Sequence, residues 1–142
     1  MTDWIQLWNE LASLREWRYR QTDMPENHDR WKIRAHEFDS HVQRRWAKSD
    51  STRTFLISLL QAMPASTVLD IGAGTGKWAI LLAPYAQHVT AIEPSPAMIE
   101  KMQSNLASAQ VRNVVIVPRL WQNASVEKHD LTLCSHAMYG MG

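Results

Sequence analysis

Val68-Leu69-Asp70-Ile71-Gly72-Ala73-Gly74-Thr75-Gly76 decides how this chain folds. An apolar run meets an acid, and three glycines follow at alternate positions. Lys77 to Ala83 then has helical spacing. A strand entering a glycine turn and leaving as a helix is the half-unit of a doubly wound α/β fold. The glycines act sterically. They adopt backbone angles closed to other residues and let another group come close to the main chain.

Working outward, the alternation on the C-terminal side predicts a parallel sheet with right-handed crossovers. Strand one is Thr67–Ile71, strand two His88–Glu93, strand three Val114–Val117 with a possible extension to Leu120, and strand four Asp130–Ser135. Ser95-Pro96 reads as an N-cap followed by proline at the first helical position. That helix turns Met98, Ile99, Met102 and Leu106 inward. On the N-terminal side the pattern is helical. Thr2 caps a first helix reaching about Arg20, with Trp4, Leu7, Trp8, Leu11 and Leu14 on one face, and Asp23-Met24-Pro25 breaks it. A second helix covers about 27–48, with Trp31, Ala35, Phe38, Val42 and Trp46 on one face. A third is capped by Ser49 or Asp50, turns Phe55, Leu56, Leu59, Leu60 and Met63 inward, and ends at Pro64. Residues 1–48 read as a helical extension and residues 49–142 as a partial Rossmann-like domain of about four strands. There is no repeat and no low-complexity segment.

The 142 residues suffice for one domain with a core, and the formal net charge is +1. Nothing in that total marks a nucleic-acid binder. Residues 1–63 hold ten Lys/Arg and nine Asp/Glu, as amphipathic helices do, while residues 64–142 hold five of each, as expected of a sheet covered on both faces. One cysteine, Cys134, excludes an internal disulfide and fits a reducing compartment. No apolar run is long enough to span a membrane, and the N-terminus lacks a signal-peptide pattern. A cytoplasmic location with no membrane partner is the expectation. Seven tryptophans is a high number for this length, and their helical spacing reads as core packing.

Three ligand chemistries compete for the glycine turn. A P-loop needs glycine five residues before the Gly of Gly76-Lys77, where Ile71 stands, and Ser or Thr after the lysine, where Trp78 stands. That reading fails at both ends. The dinucleotide fingerprint needs a third glycine one position later, at Lys77, so NAD or FAD is weakened without being excluded. The third chemistry rests on a resemblance. Asp70-Ile71-Gly72-Ala73-Gly74-Thr75-Gly76 resembles the first motif of class I S-adenosylmethionine-dependent methyltransferases, and Glu93 ends strand two seventeen residues beyond Gly76. The resemblance implies S-adenosylmethionine as cofactor, with S-adenosylhomocysteine as product. It puts Asp70 near the methionyl ammonium and Gly72, Ala73, Gly74 and Gly76 along the cofactor. It gives the ribose hydroxyls to Glu93 and sets Pro94 and Met98 against the adenine face.

The chain departs from that family in two places. After strand three no carboxylate is available for the adenine amino group; two readings of Trp121 stand, one stacking it on adenine with Asn123 or a backbone group at the adenine edge, the other packing it on the sheet margin. After strand four, Ser135-His136-Ala137-Met138-Tyr139 lacks the Asn/Asp-Pro-Pro-aromatic signature of nucleobase amino methyltransferases, which argues against a DNA adenine methyltransferase. His136, with Tyr139 nearby, is the candidate catalytic base. His28, His36 and His41 do not have the spacing of a metal helix, so no metal is expected. By resemblance, His36, Phe38, Asp39 and His41 lie where helices before the first motif touch substrate.

These features predict a methyltransferase acting on a small-molecule acceptor, with no nucleic-acid partner. The resemblance covers about residues 50–142, and the family's full sheet has seven strands. Strand four is therefore expected to have its outer edge covered, either by the remainder of a split enzyme on a partner chain, or by self-association or the N-terminal helices folded across it. The alternative is a non-catalytic cofactor-binding or interaction subunit that needs such a partner.

Overall fold

The computed structural model describes residues 31–137 together with Gln6, Leu7, Glu10 and Asp29. The Thr2 cap, Trp4, Trp8, Leu11 and Leu14 of the first helix, the break at Asp23-Met24-Pro25, His28 and Tyr139 lie outside the described residues. Gln6, Leu7 and Glu10 are helical, and Gln6 donates to the Glu10 carboxylate at 3.1 Å.

The described chain runs α1 (Ala35–Trp46), α2 (Ser51–Ala62), β1 (Thr67–Ile71), α3 (Lys77–Leu82), β2 (His88–Ile92), α4 (Pro96–Ser108), β3 (Val114–Val117) and β4 (Leu131–Cys134). Short 3₁₀ turns follow α3 at Ala83–Tyr85 and β3 at Trp121–Asn123. All strands are parallel, in the order β3-β2-β1-β4. This is the Rossmann-like α/β arrangement expected from the alternation of strand and helix. The outer strand β4 is registered on β1 by Asp130, whose Oδ2 accepts from the Thr67 backbone N–H at 2.7 Å and its hydroxyl at 3.0 Å.

The main core lies on one face of the sheet. Val68, Val89 and Ala91 meet Leu56 and Leu60 of α2, Ala79 and Leu82 of α3, and Met102 and Leu106 of α4. The opposite face carries Leu69, Ile71 and Ile92, with Val117, Trp121, Ala124 and Val126 packed on them. Among the described residues, then, helices cover one face and an irregular segment covers part of the other. Thr132 and Cys134 of β4 remain exposed on it. No helix among these residues is long and apolar enough to cross a membrane.

Two helices differ from their sequence pattern. The pattern starts the second at about residue 27, but α1 begins at Ala35 after a run of turns. Asp29 opens that run of turns: its carboxylate accepts from the Trp31 N–H at 3.0 Å, and its carbonyl accepts from Lys32 N at 3.0 Å. In α2, Leu56 and Leu60 are buried as expected, whereas Phe55 is 64% exposed. The caps agree with the sequence. Asp50 accepts from Thr52 N at 2.7 Å, and Ser95 accepts from Met98 N at 3.2 Å.

α1 is fastened to the sheet-covering layer at both ends. Near its start, buried Asp39 accepts from Asn105 at 3.0 Å and Gln43 at 2.9 Å, with Lys101 Nζ at 3.6 Å. Asn105 also donates to the Thr75 carbonyl at 3.0 Å, so one amide joins α1, α4 and the glycine turn. Burial by itself would raise the Asp39 carboxyl, but hydrogen bonds from Thr75, Asn105 and Gln43 outweigh it and hold the group below its ordinary range. At its far end, Trp46 meets Trp78 edge to face with ring centroids 5.0 Å apart, and Arg53 lies over Trp46 at 4.9 Å.

A tight point of the layer is Gly76, where α3 begins. Its φ is +83°, and a Cβ there would stand 2.5 Å from Met102 Cγ. Gly76→Ala is expected to cost about 2 kcal/mol from backbone strain and overpacking. Combining it with Met102→Ala should add less than the sum of the two single losses. Urea unfolding of the four variants of that cycle measures this, and full additivity would contradict the contact.

Candidate functional site

The site assembles where β1 and β2 end. The N–H groups of Gly72 and Ala73 both donate to the Ile92 carbonyl, at 2.8 and 3.0 Å, which ties the glycine turn to the last residue of β2. The next residue, Glu93, is 6% exposed. Its Oε2 accepts from Gly74 N at 2.8 Å and its Oε1 from Ser95 N at 2.9 Å. Each oxygen keeps a second lone-pair site, so the carboxylate can still take hydroxyl donors. Burial, the largest influence, pushes the Glu93 carboxyl up; the two backbone bonds oppose this, and Asp29 adds to it.

Asp70 lies on the helix-covered face of β1, in register with Ala91 on one side and Leu133 on the other. It is 1% exposed, and its Oδ2 has no hydrogen-bond partner. Burial, reinforced by the Glu93 charge, pushes its carboxyl up to about 7. A desolvated acid of this kind becomes a strong partner for an arriving cation, because a positive charge restores its ionised form.

The other residues singled out in the sequence are distributed around this pair. A Cβ on Gly72 would clash with Ala137, so the segment leaving β4 crosses directly against the turn. His136 precedes that contact, exposed and in the left-handed region at φ 57°. Gly74 faces α1, with Phe38 Cε1 3.7 Å from where its Cβ would be. Phe38, 36% exposed, is braced edge to face by Trp31, with centroids 5.0 Å apart. Ala73 packs on the main core. Pro94 is exposed beside Glu93, whereas Met98 is 2% exposed and buried within the packing of α4. Trp121 packs against Leu69, Ile71 and Ile92 on the opposite face. Among His36, Phe38, Asp39 and His41, Phe38 reaches the glycine turn directly and buried Asp39 braces it through Asn105. His36 and His41 are exposed, and His41 Nδ1 accepts from Arg44 at 2.9 Å. Among the described residues no three His, Cys, Asp or Glu side chains group as metal ligands would.

Sequence reasoning did not find Asp29. Its carboxylate accepts from the Ser95 hydroxyl at 2.7 Å and from Ala97 N at 2.8 Å, capping α4 from a position more than sixty residues away in the chain. Only the fold brings it there.

The profile of the methyltransferase domain family matches residues 68–141, which begin at β1 and take in the glycine turn, both acids and all four strands. The chain belongs to the class I S-adenosylmethionine-dependent methyltransferase family. An rRNA adenine N-6-methyltransferase of Bacteroides fragilis is 37% identical over 75 residues, 53% of this chain and 27% of that protein. A 23S rRNA (uracil(1939)-C(5))-methyltransferase of Chromohalobacter salexigens is 43% identical over 47 residues, 33% of this chain and 10% of that protein. The chain thus spans about a quarter or less of the length of these curated relatives. Among solved structures, a candidate S-adenosyl-L-methionine-dependent methyltransferase of Methanococcus maripaludis shares the fold. Its TM-score is 0.66 at 24% identity, over 82% of this chain and 55% of that one.

These relatives correct the expectation that nucleic acid plays no part, since the two curated methyltransferases are named for ribosomal RNA. The inference from a net charge of +1 failed because a total averages over the surface. On residues 31–48 the exposed charges are Lys32, Arg34, Arg44, Arg45 and Lys48 against Glu37.

Asp70 makes the fold sensitive to pH. Its folded pKa, about 7, lies above its ordinary value of 3.8, so the folded state holds a proton that the unfolded state has lost. Stability contributed by this group therefore falls as pH rises from about 4 to about 7 and levels off above. Asp70→Asn should flatten that decline in urea titrations at several pH values. An unchanged slope in the variant would assign the decline to other groups.

Proposed function

We propose that this domain transfers the methyl group of S-adenosylmethionine to a base in RNA. The observation that carries the donor half is Asp70, a buried carboxylate with an unpartnered oxygen and the Glu93 charge nearby, just before the glycine turn. That pair suits a ligand with an ammonium at one end and a ribose at the other. On this reading Asp70 holds the methionyl ammonium, Glu93 takes the ribose hydroxyls, and residues 72–76 run along the ligand. Phe38 closes the turn from the α1 side.

When bound, the cofactor supplies an activated methyl on a sulfonium, so the protein has chiefly to align the acceptor and exclude water. His136, at the mouth of the sheet beside the Gly72 contact, is the group available to take a proton from the acceptor. The RNA acceptor is supported by the names of the two curated relatives. It replaces the small-molecule acceptor expected from the sequence.

Isothermal titration with S-adenosylhomocysteine tests the donor half. Glu93→Ala should weaken binding by about tenfold or more, since it removes hydrogen bonds to a charged group. Affinity should rise as pH passes upward through about 7, because the ligand's ammonium favours ionised Asp70, and Asp70→Asn should lose that dependence. Absence of binding at millimolar ligand would refute the reading. Transfer of labelled methyl to RNA tests the acceptor half.

A further inference from the structure

We infer that the outer face of α1 is a docking surface for single-stranded RNA, with one base seated in the groove beside Trp31 and Phe38. The inference rests on the methyltransferase reading above and names the surface that delivers its acceptor.

Three observations converge on this face. The first is shape. An open groove of about 280 Å³ runs along α1, lined by Trp31, Arg34, Glu37, Phe38, His41 and Arg45 among others. Trp31 and Phe38 stand edge to face at 63°, a rigid aromatic corner with part of the Phe38 ring exposed. Unpaired bases stack on such rings without needing a defined sequence.

The second is charge. Arg34 and Arg45 line the groove, and Lys32, Arg44 and Lys48 are exposed elsewhere on and beside the helix, against the single exposed acid Glu37 of residues 31–48. Residues 49–137 carry six basic and six acidic residues, so the cationic excess of the described chain belongs to the α1 region. Arg34 and Arg45 flank the groove roughly 16 Å apart along the helix axis, a span that meets several phosphates of an extended strand. Glu37, between them, is an acceptor for a base amino group.

The third is position. Phe38 lines the groove and also lies 3.7 Å from the Cβ position of Gly74, so groove and glycine turn share a wall. A strand held on α1 therefore passes beside the donor turn. Asp39 and the Trp46–Trp78 contact fix the helix on its inner side, so the outer face is a platform.

Fluorescence anisotropy of a labelled single-stranded RNA with the full chain at low salt tests the proposal, with S-adenosylhomocysteine titration run in parallel. Arg34→Glu with Arg45→Glu should weaken RNA binding about tenfold or more. Arg34→Gln with Arg45→Gln, the milder pair, should reduce the salt slope of binding by roughly 1.4, the value for two lost phosphate contacts on a single strand. Trp31→Ala should weaken binding about tenfold while leaving the salt slope nearly unchanged. Both arginine pairs should bind S-adenosylhomocysteine within about twofold of the parent. A parent that binds S-adenosylhomocysteine but not RNA would overturn this inference and leave the donor site standing. Unchanged RNA affinity in both arginine pairs would also overturn it. So would adenosine monophosphate binding as tightly as the strand, which would make the groove a mononucleotide pocket.

Discussion

The backbone of residues 72–76 is approached from three directions, and most of the structure is arranged to permit this. Ala137 presses on Gly72 from the segment after β4, Phe38 comes against Gly74 from α1, and Met102 comes against Gly76 from α4. These elements are far apart in the chain and meet only at the turn. The glycines are commonly read as room for a ligand. At Gly72 and Gly76 the room is already filled by the protein itself. The turn is thus a packing centre first, and its rigidity derives from contacts that side chains at those positions would forbid.

Rigidity at that point matters because the chemistry beside it is electrostatic. Asp70 and Glu93 are both withdrawn from water, and the Glu93 charge adds to the cost of ionising Asp70. Glu93 offsets part of its burial with two backbone N–H groups. Asp70 has no comparable compensation at Oδ2. A fold retains such an uncompensated acid at a cost in stability, which a positively charged group placed beside it would offset. The layer of α1, α3 and α4 around the turn keeps water from relieving the strain earlier.

Local chemistry made the sheet half legible in the sequence. β1 and β3 have the bounds their apolar runs announce, and Ser95 and Asp50 cap the helices they precede. The two acids stand out because their spacing from the glycines reflects one strand–turn–helix–strand unit. What was not legible depends on distance. Asp29 looks like an ordinary acid near a helix start, yet it caps α4. Asp39 reads by resemblance as a substrate contact, although its place four residues after Ala35, on the inward side of α1, is the available sign of a buried tie. Such roles are set by partners that a local pattern does not contain.

The same limit explains the nucleic-acid error. A total of +1 is compatible with a neutral surface and equally with a cationic helix balanced elsewhere. Recognition of a polyanion depends on the local field, which falls off within about 10 Å at moderate salt, and not on the sum over the molecule. Once α1 is formed, spacing along the helix gathers Arg34, His41 and Arg45 around one groove, while Asp39 is drawn inward and its charge is absorbed by Asn105, Gln43 and Lys101. Burying that one carboxylate does two things at once. It locks α1 onto the glycine turn, and it strips the helix's outer face of an acid that would otherwise offset its arginines.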